Sequence, residues 1–294
     1  MKKDASATVL IDWVSATYEK SVELSQVLEA WTAENELQPW SKGVGAYGYR
    51  GCLKRDDIKV FHDGLSHMGI HVQVSGEGCR QAEAEGLIPQ NDWQAWFKTM
   101  LAESPSAFAR IHVAFDSRSG AFTVRDIKRK GEKGLLVTAF KKGLELLERD
   151  LQTGKCTGEG YILGKNSDTQ VVFYDKGAES GENGPWVRVE LRMKGKNAQE
   201  LARHLAEHGL SGIAGILRRY VDVKKAGRNK QKSRLKSEKW WDEFLESAER
   251  MTLSVNPYKR EKKNPAEWVK KSDLRELIEK HDGDVGPLLE MLGM

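Results

Sequence analysis

The chain has 294 residues, of which 31% are charged and 39% hydrophobic, and its net charge is +4. That length supports one sizeable core with an appendage, or two domains, and the composition suits a globular protein with a generous polar surface. No apolar run approaches the roughly 20 residues needed to span a bilayer, which excludes a helical membrane protein.

The N-terminus MKKDASATVLIDW has a basic start but neither the apolar stretch nor the small-residue cleavage site of a signal peptide. Cys52, Cys79 and Cys156 are scattered without a CxxC pair, which argues against a structural zinc site or a disulfide framework. A cytoplasmic protein without membrane contact is expected. No GxxxxGK[ST] loop is present, so the chain carries no evident ATP motor of its own. Charge is unevenly placed: Lys224 to Lys239 holds eight Lys or Arg against one Glu, a local +7 in a chain that totals +4. Concentrated basic charge is the electrostatic footprint of a nucleic-acid binder, and a solvated linker has the same composition.

In chain order, TVLIDW (8–13) reads as a strand with Thr8, Leu10 and Asp12 on one face. Helical periodicity follows over 21–36, with Ser21 as cap and Trp31 in the core. Residues 39–80 turn glycine-rich, and GAYGYRGCL, IKVFHDG and GIHVQVSGEG read as three strands. SGEGCR (75–80) suggests a tight turn where the backbone approaches something closely. His62, His67 and His71 fit no common metal spacing. A helix is expected over 91–101, then a strand over 107–120 with Arg110, His112, Ala114 and Asp116 on one face and Ile111, Val113 and Phe115 on the other. His112 and Asp116 lie about 13 Å apart along that strand, so they join one site only if another strand lies between their tips or the strand bends.

A short helix over 122–129 and a strand over 134–140 precede a hairpin that turns at 165–168. Its second strand is TQVVFYDKG (169–177), with Gln170, Val172, Tyr174 and Lys176 on one face, followed by WVRVELRMK (186–194), with Arg188, Glu190 and Arg192 on one face. If the two faces coincide, a phenol, a carboxylate and several cations share one surface, as attack on a phosphodiester requires; an exposed hairpin with cross-strand ion pairs has the same pattern. Helices are expected over 197–208 and 211–221. Glu200, His204 and His208 form a stripe that lacks the HExxH order and reads as solvated. Beyond the basic segment, WWDEFLESAERM and NPAEWVKKSDLRELIEK read as helices with caps at Ser237 and Asn264.

Seven of these segments in this order (VLIDW, HVQVSGEGCR, RIHVAFD, YILGKNSDTQVVFYDKG, WVRVELRMK, WWDEFL and EWVKK) resemble the replication initiation factor family, the rolling-circle replication initiators of small plasmids and filamentous phages. SGEGCR and the tryptophan pair resemble the filamentous-phage branch more than the staphylococcal-plasmid branch. The resemblance implies a DNA nicking and joining enzyme whose tyrosine attacks a phosphodiester at the origin, stays on the 5′ phosphate and frees a 3′ hydroxyl, with Mg²⁺ or Mn²⁺. The family tyrosine maps to Tyr174, with Lys176 two residues on, and the family's acidic residue in the last catalytic strand maps to Glu190. In the strand that usually reads R-x-D-x-A-x-D, Arg110 and Asp116 match and His112 replaces the first Asp; histidine is an acceptable ligand for Mn²⁺ and less so for Mg²⁺.

An attacking oxygen near an anionic phosphodiester needs its charge offset by a metal or by Arg and Lys, and a phenol with an ordinary pKa near 10 needs activation. The expected site is thus Tyr174 as nucleophile, His112, Asp116 and Glu190 as metal ligands, and Lys176, Arg188, Arg110 and Arg192 as phosphate clamps, with Lys176 and Arg188 counted with Tyr174 as catalytic. Asp12 is a weaker candidate for the same surface. Tyr161 is the rival nucleophile, without a cation at i+2. Arg218, Arg219, Lys224, Lys225, Arg228, Lys230, Lys232, Arg234 and Lys236 are expected to track DNA phosphates, giving affinity rather than sequence choice.

The expected architecture is α+β: a mainly antiparallel sheet with helices on one face (an HUH-like nicking domain, 1–222), a basic linker (223–239), and a small helical DNA-binding or dimerisation module (240–294). Expected partners are origin DNA, single-stranded or hairpin at the nick, a second copy, and a host helicase and polymerase. The alternative is a non-catalytic origin- or operator-binding regulator on the same fold.

Overall fold

A computed structural model describes residues 8–32, 40–102 and 107–245. Its strands are β1 (Thr8–Tyr18), β2 (Ser41–Lys42), β3 (Gly51–Arg55), β4 (Ile58–His62), β5 (Ile70–Val74), β6 (Ala107–Ser117), β7 (Leu136–Thr138), β8 (Gly143–Arg149), β9 (Cys156–Leu163), β10 (Thr169–Asp175), β11 (Val187–Lys194) and β12 (Val221–Val223). The α-helices are α1 (Leu24–Ala30), α2 (Gly76–Ala84), α3 (Trp93–Ala102), α4 (Val124–Glu132), α5 (Lys176–Ser180), α6 (Gly195–His208), α7 (Ile213–Tyr220) and α8 (Lys239–Phe244).

Ten strands form one sheet in the order β2-β3-β4-β5-β1-β6-β11-β10-β9-β8, and β12 pairs separately with β7. The pairings in the ten-stranded sheet are antiparallel. The order has an internal symmetry. From the centre outward, β1 is followed by β5, β4, β3 and β2, and β6 by β11, β10, β9 and β8, so each half is a long central strand flanked by four later strands in reverse sequence order.

Alternation along the strands decides which face is dry. Ile111, Val113 and Phe115 of β6, Val189, Leu191 and Met193 of β11, and Val171 and Phe173 of β10 are buried in one cluster. Against that face α6 places Leu201 and Leu205, α3 places Phe97 and α4 places Ile127. α4 is held at its start by Thr123, which exchanges hydrogen bonds with Asp126 in a capping box. The opposite face carries the polar residues of the same strands. Among the described residues, no helix is long and apolar enough to cross a membrane.

The expected α+β sheet with helices on one face is what the chain forms. Three local expectations change. SGEGCR is the start of α2 rather than a turn: its glycines let the helix lie close, since a Cβ on Gly76 would sit 3.0 Å from Asp12 Oδ1 and one on Gly78 2.7 Å from the Asp57 carbonyl oxygen. β8 was not foreseen, because Gly143–Arg149 (GLELLER) lacks clean alternation and runs exposed beside β9.

Residues 223–245 also differ from the expected linker and start of a separate module. Val223 completes β12, Lys224 bridges to Ser237, and the Glu238 N–H donates to the Val223 carbonyl oxygen, which pins both ends of the basic loop. Trp241, Phe244 and Leu245 are buried in the main core, with Trp241 on Phe173 and Phe244 on Phe115 and Phe122. Apolar area of this size is more stable inside an existing core than in a small separate module. The helix expected after Asn264 and most of the 240–294 module lie outside the described residues.

Candidate active site

Cross-strand register brings the expected residues onto one face. Tyr174 of β10 lies opposite Arg188 of β11, which in turn lies opposite Asp116 of β6; Arg192 lies opposite His112, and Glu190 opposite Ala114 and Val172. β11 therefore runs alongside β6 and sets Arg188, Glu190 and Arg192 beside Asp116, Ala114 and His112. Tyr174, Arg188, Glu190, Arg192 and His112 line an open groove of about 750 Å³ together with Asp12, Trp13, Lys176 and Trp186, and Asp116 is not part of its lining.

Asp12 reaches this face through a bulge. The β1–β6 register shifts between Ile11 and Trp13, leaving Asp12 as the extra residue, so Asp12 and its neighbour Trp13 both line the groove while Ile11 and Val14 remain in the core. A bulge re-aims a side chain in this way.

The polar contacts form two connected sets. In the first, Arg188 donates from Nε and Nη2 to the two oxygens of Asp116 at 2.7 and 2.8 Å, and from Nη1 to Asp12 Oδ1 at 2.7 Å. Burial works against the charge on Arg188, but the Asp116 hydrogen bonds and the charges of Asp12 and Asp116 outweigh it and raise its pKa. In the second set, the Tyr174 hydroxyl donates to Glu190 Oε1 at 2.5 Å and Arg192 Nε donates to Glu190 Oε2 at 2.6 Å. Glu190 is only 2% exposed. His112 Nδ1 lies 3.6 Å from Glu190 Oε2, and His112 Nε2 accepts from Arg110 Nε at 2.6 Å. Burial, with Arg110, Arg192 and Lys194 nearby, holds the imidazole well below its usual pKa, so it is neutral. Its ring stacks on Trp13, over which the Arg110 guanidinium also sits at 4.5 Å.

The residues expected to hold Mg²⁺ or Mn²⁺ do not form an ion site as they stand. Both oxygens of Asp116 are engaged by Arg188. His112 accepts through Nε2, which leaves its proton on Nδ1, facing Glu190. Among the described residues no three His, Cys, Asp or Glu side chains converge on one point. Asp116 is thus half of a bidentate clamp, and Arg188 is held between the carboxylates of Asp116 and Asp12.

Tyr174 is raised in pKa by burial and by the charge of Glu190, so the phenol is protonated while it rests on that carboxylate. Tyr161 is placed on the other side of the sheet, its hydroxyl packed where a Cβ on Gly131 or Gly143 would meet it. Lys176 opens the one-turn helix α5 behind an Asp175 cap; it lines the groove and pairs with Glu179 at 2.7 Å.

Of the basic residues expected to track DNA, Lys225, Arg228, Lys230, Lys232, Arg234 and Lys236 are exposed on the loop between β12 and α8, and Arg219 is exposed on α7. Arg218 and Lys224 are buried instead: Arg218 pairs with Asp242 at 2.6 Å and Lys224 with Asp222 at 2.6 Å. His204, expected on a solvated stripe, is buried with Nε2 3.1 Å from the Ser211 carbonyl oxygen, closing the end of α6.

Asp12 gives a pH test of this geometry. Burial, with Glu190 nearby, raises its pKa to about 6 against the partly compensating charge of Arg188. The folded state therefore binds the Asp12 proton more tightly than the unfolded chain, and this contribution to stability is full below the unfolded value of 3.8 and is lost as pH rises through about 6. Asp12→Asn does not titrate. Its melting temperature relative to the wild type should rise from about pH 4 to about pH 6 and then level off, as thermal melts at stepped pH will show; a constant difference would mean that Asp12 does not titrate in this window.

This fold and site can be set beside known proteins. The sequence pattern of the family described as replication initiation factor matches residues 106–277, and that of the rolling circle replication initiation protein N-terminal domain matches residues 8–101. The chain belongs to the replication initiation factor family. It is 27% identical over 275 residues to the putative DNA relaxase NicK of Bacillus subtilis (strain 168), covering 90% of this chain and 78% of that protein. The structure of a rolling circle replication initiator protein from Geobacillus stearothermophilus shares the fold, with a TM-score of 0.73 at 24% identity over 85% of this chain and 99% of that one.

Proposed function

We propose that the protein nicks and rejoins one strand of origin DNA through a covalent 5′-phosphotyrosine on Tyr174. The observation that carries this reading is the Tyr174 hydroxyl resting on the buried carboxylate of Glu190 at 2.5 Å, in a groove lined by Arg110, Arg192 and Lys176. The phenol is held protonated, so attack and proton transfer must proceed together. The Tyr174 oxygen forms a bond to phosphorus, its proton passes to Glu190, the bond from phosphorus to the 3′ oxygen breaks, and solvent protonates the departing oxygen. General-base help of this kind contributes typically about 10²- to 10⁴-fold. Arg192, Arg110 and Lys176 offset the added charge on the phosphoryl group, while the Asp116–Arg188–Asp12 clamp fixes β6, β11 and β1 relative to one another. No step is assigned to a divalent cation.

The exposed basic loop 225–236 supplies non-specific affinity for origin DNA. The freed 3′ hydroxyl is a primer for a host polymerase, and a helicase and a second copy of the chain are the further partners this activity calls for. The test is incubation with supercoiled plasmid carrying the protein's own origin, with Mg²⁺, Mn²⁺ or a chelator. Open-circular product and a protein–DNA band that survives denaturation are expected. Specific binding without either product would leave the chain a non-catalytic origin-binding regulator.

A further inference from the structure

The two halves of the sheet follow one plan, so positions in them correspond. In the catalytic half Tyr174, Arg188 and Asp116 lie opposite one another across β10, β11 and β6. At the matching places of the other half stand Phe61 of β4, His71 of β5 and Thr17 of β1, also opposite one another. His71 Nδ1 lies 2.9 Å from Thr17 Oγ1 where Arg188 meets Asp116. Gln73 takes the place of Glu190. The same face that is ionic in one half is therefore neutral and aromatic in the other.

That aromatic face is open. Tyr47 and Tyr49 pack with Phe61 and His71, ring centroids 5.5 to 6.2 Å apart, in a small apolar cluster with Cys52 and Met68 that is separate from the main core. Tyr47 is 67% exposed, an unusual position for a large aromatic residue, and lies over a cavity of about 420 Å³. The cavity adjoins the groove that holds Tyr174, since Trp13 and Arg110 line both, and Lys194 is part of its lining. Burial lowers the His71 pKa to about 4, so its ring is neutral.

We propose that Tyr47, with Tyr49, His71 and Met68 behind it, is a stacking platform for unpaired bases of the DNA strand whose backbone lies in the catalytic groove. Aromatic faces bordered by cations are what single strands bind without sequence preference. Tyr174 is in register with Thr8 of β1 and His71 with Thr17, so four inter-strand steps (about 19 Å) and nine residues along the strand (about 30 Å) separate them by about 35 Å, a span that about ten stacked nucleotides cover at 3.4 Å each. A duplex keeps its bases stacked on one another and gains nothing from such a platform. The proposal rests on the reading of the groove as the DNA-cleavage site.

The test is binding without cleavage. In the Tyr174→Phe background with chelator present, fluorescence anisotropy is measured with a labelled oligodeoxythymidylate of about 20 nucleotides and with a labelled duplex of the same length. Tyr47→Ala should weaken single-strand binding about 5- to 100-fold, leave the slope against salt unchanged and leave duplex binding unchanged; Tyr47→Phe should restore it. Circular dichroism melts confirm that the exposed substitution leaves the fold intact. Equal single-strand affinity for Tyr47→Ala and its parent, or an equal loss on duplex, overturns the platform. Because no nicking enters this assay, failure of the nicking reading would appear only in the plasmid experiment and leaves this comparison informative.

Discussion

Tyr174→Phe is expected to lower nicking of supercoiled origin DNA by at least about 10³-fold and to abolish the covalent protein–DNA band. The substitution removes one hydroxyl and keeps the ring, so the packing of β10 against its neighbours is preserved. Glu190 loses the donor on Oε1 but retains Arg192 on Oε2, and the groove keeps its lining cations. DNA binding should therefore stay within about 2-fold of wild type, since phosphate contacts carry most of the affinity. Tyr161 offers no rescue, because its hydroxyl is packed against Gly131 and Gly143 on the opposite side of the sheet. End-labelled substrate resolved on a denaturing gel reads both outcomes. Nicking at the wild-type rate would move the nucleophile elsewhere, and loss of nicking together with loss of binding would point to damage to the fold.

The second large effect is on stability. Arg188→Ala removes the cation that three hydrogen bonds tie to Asp116 and Asp12. Asp116 is buried and Asp12 nearly so, and carboxylates left without a partner in such a place cost about 3–5 kcal/mol. Against a typical total of about 5–15 kcal/mol, such a loss would show as a markedly lower midpoint in urea unfolding. Arg188→Lys should fall between the two, because an ammonium cannot make the fork to Asp116 and also reach Asp12. Replacing Asp116 and Asp12 by Asn alongside Arg188→Ala should recover part of the loss, since no buried charge is then unmatched. A loss under about 1 kcal/mol for Arg188→Ala alone would mean that the clamp is not what joins these strands.

The faces of β6, β10 and β11 were legible in the sequence, because alternation of polar and apolar residues fixes which side chains share a face; the order of the strands in the sheet was not, since alternation says nothing of which strands pair. RIHVAFD, TQVVFYD and WVRVELRMK carry that alternation without interruption, and register then placed Tyr174 beside Arg188. What alternation cannot show is a bulge: Asp12 and Trp13 both face the groove only because one residue of β1 is unpaired. Nor does it distinguish a charge that faces solvent from one that faces another charge. Asp116 looked like a metal ligand and Arg188 like a phosphate contact, and each is taken up by the other, a pairing set by cross-strand register between residues 72 apart in sequence. The burial of Arg218 and Lys224 has the same origin, since Asp222 and Asp242 reach them only once β12 and α8 are in place. No pattern within the WWDEFL segment says whose core its tryptophans enter.

The repeated plan of the sheet bears on how many bonds one molecule can hold. If Tyr174 is the attacking residue, the corresponding place in the other half is occupied by Phe61, a side chain with the same ring and no oxygen to give. Duplication of the plan has not duplicated the nucleophile on this face, and a chain with Tyr174 already esterified has no matching hydroxyl there with which to cut again. A replication round that begins and ends with strand cleavage then cannot draw its second attack from this position of β4, and its last cut must take its oxygen from elsewhere: another side chain, water or a second subunit.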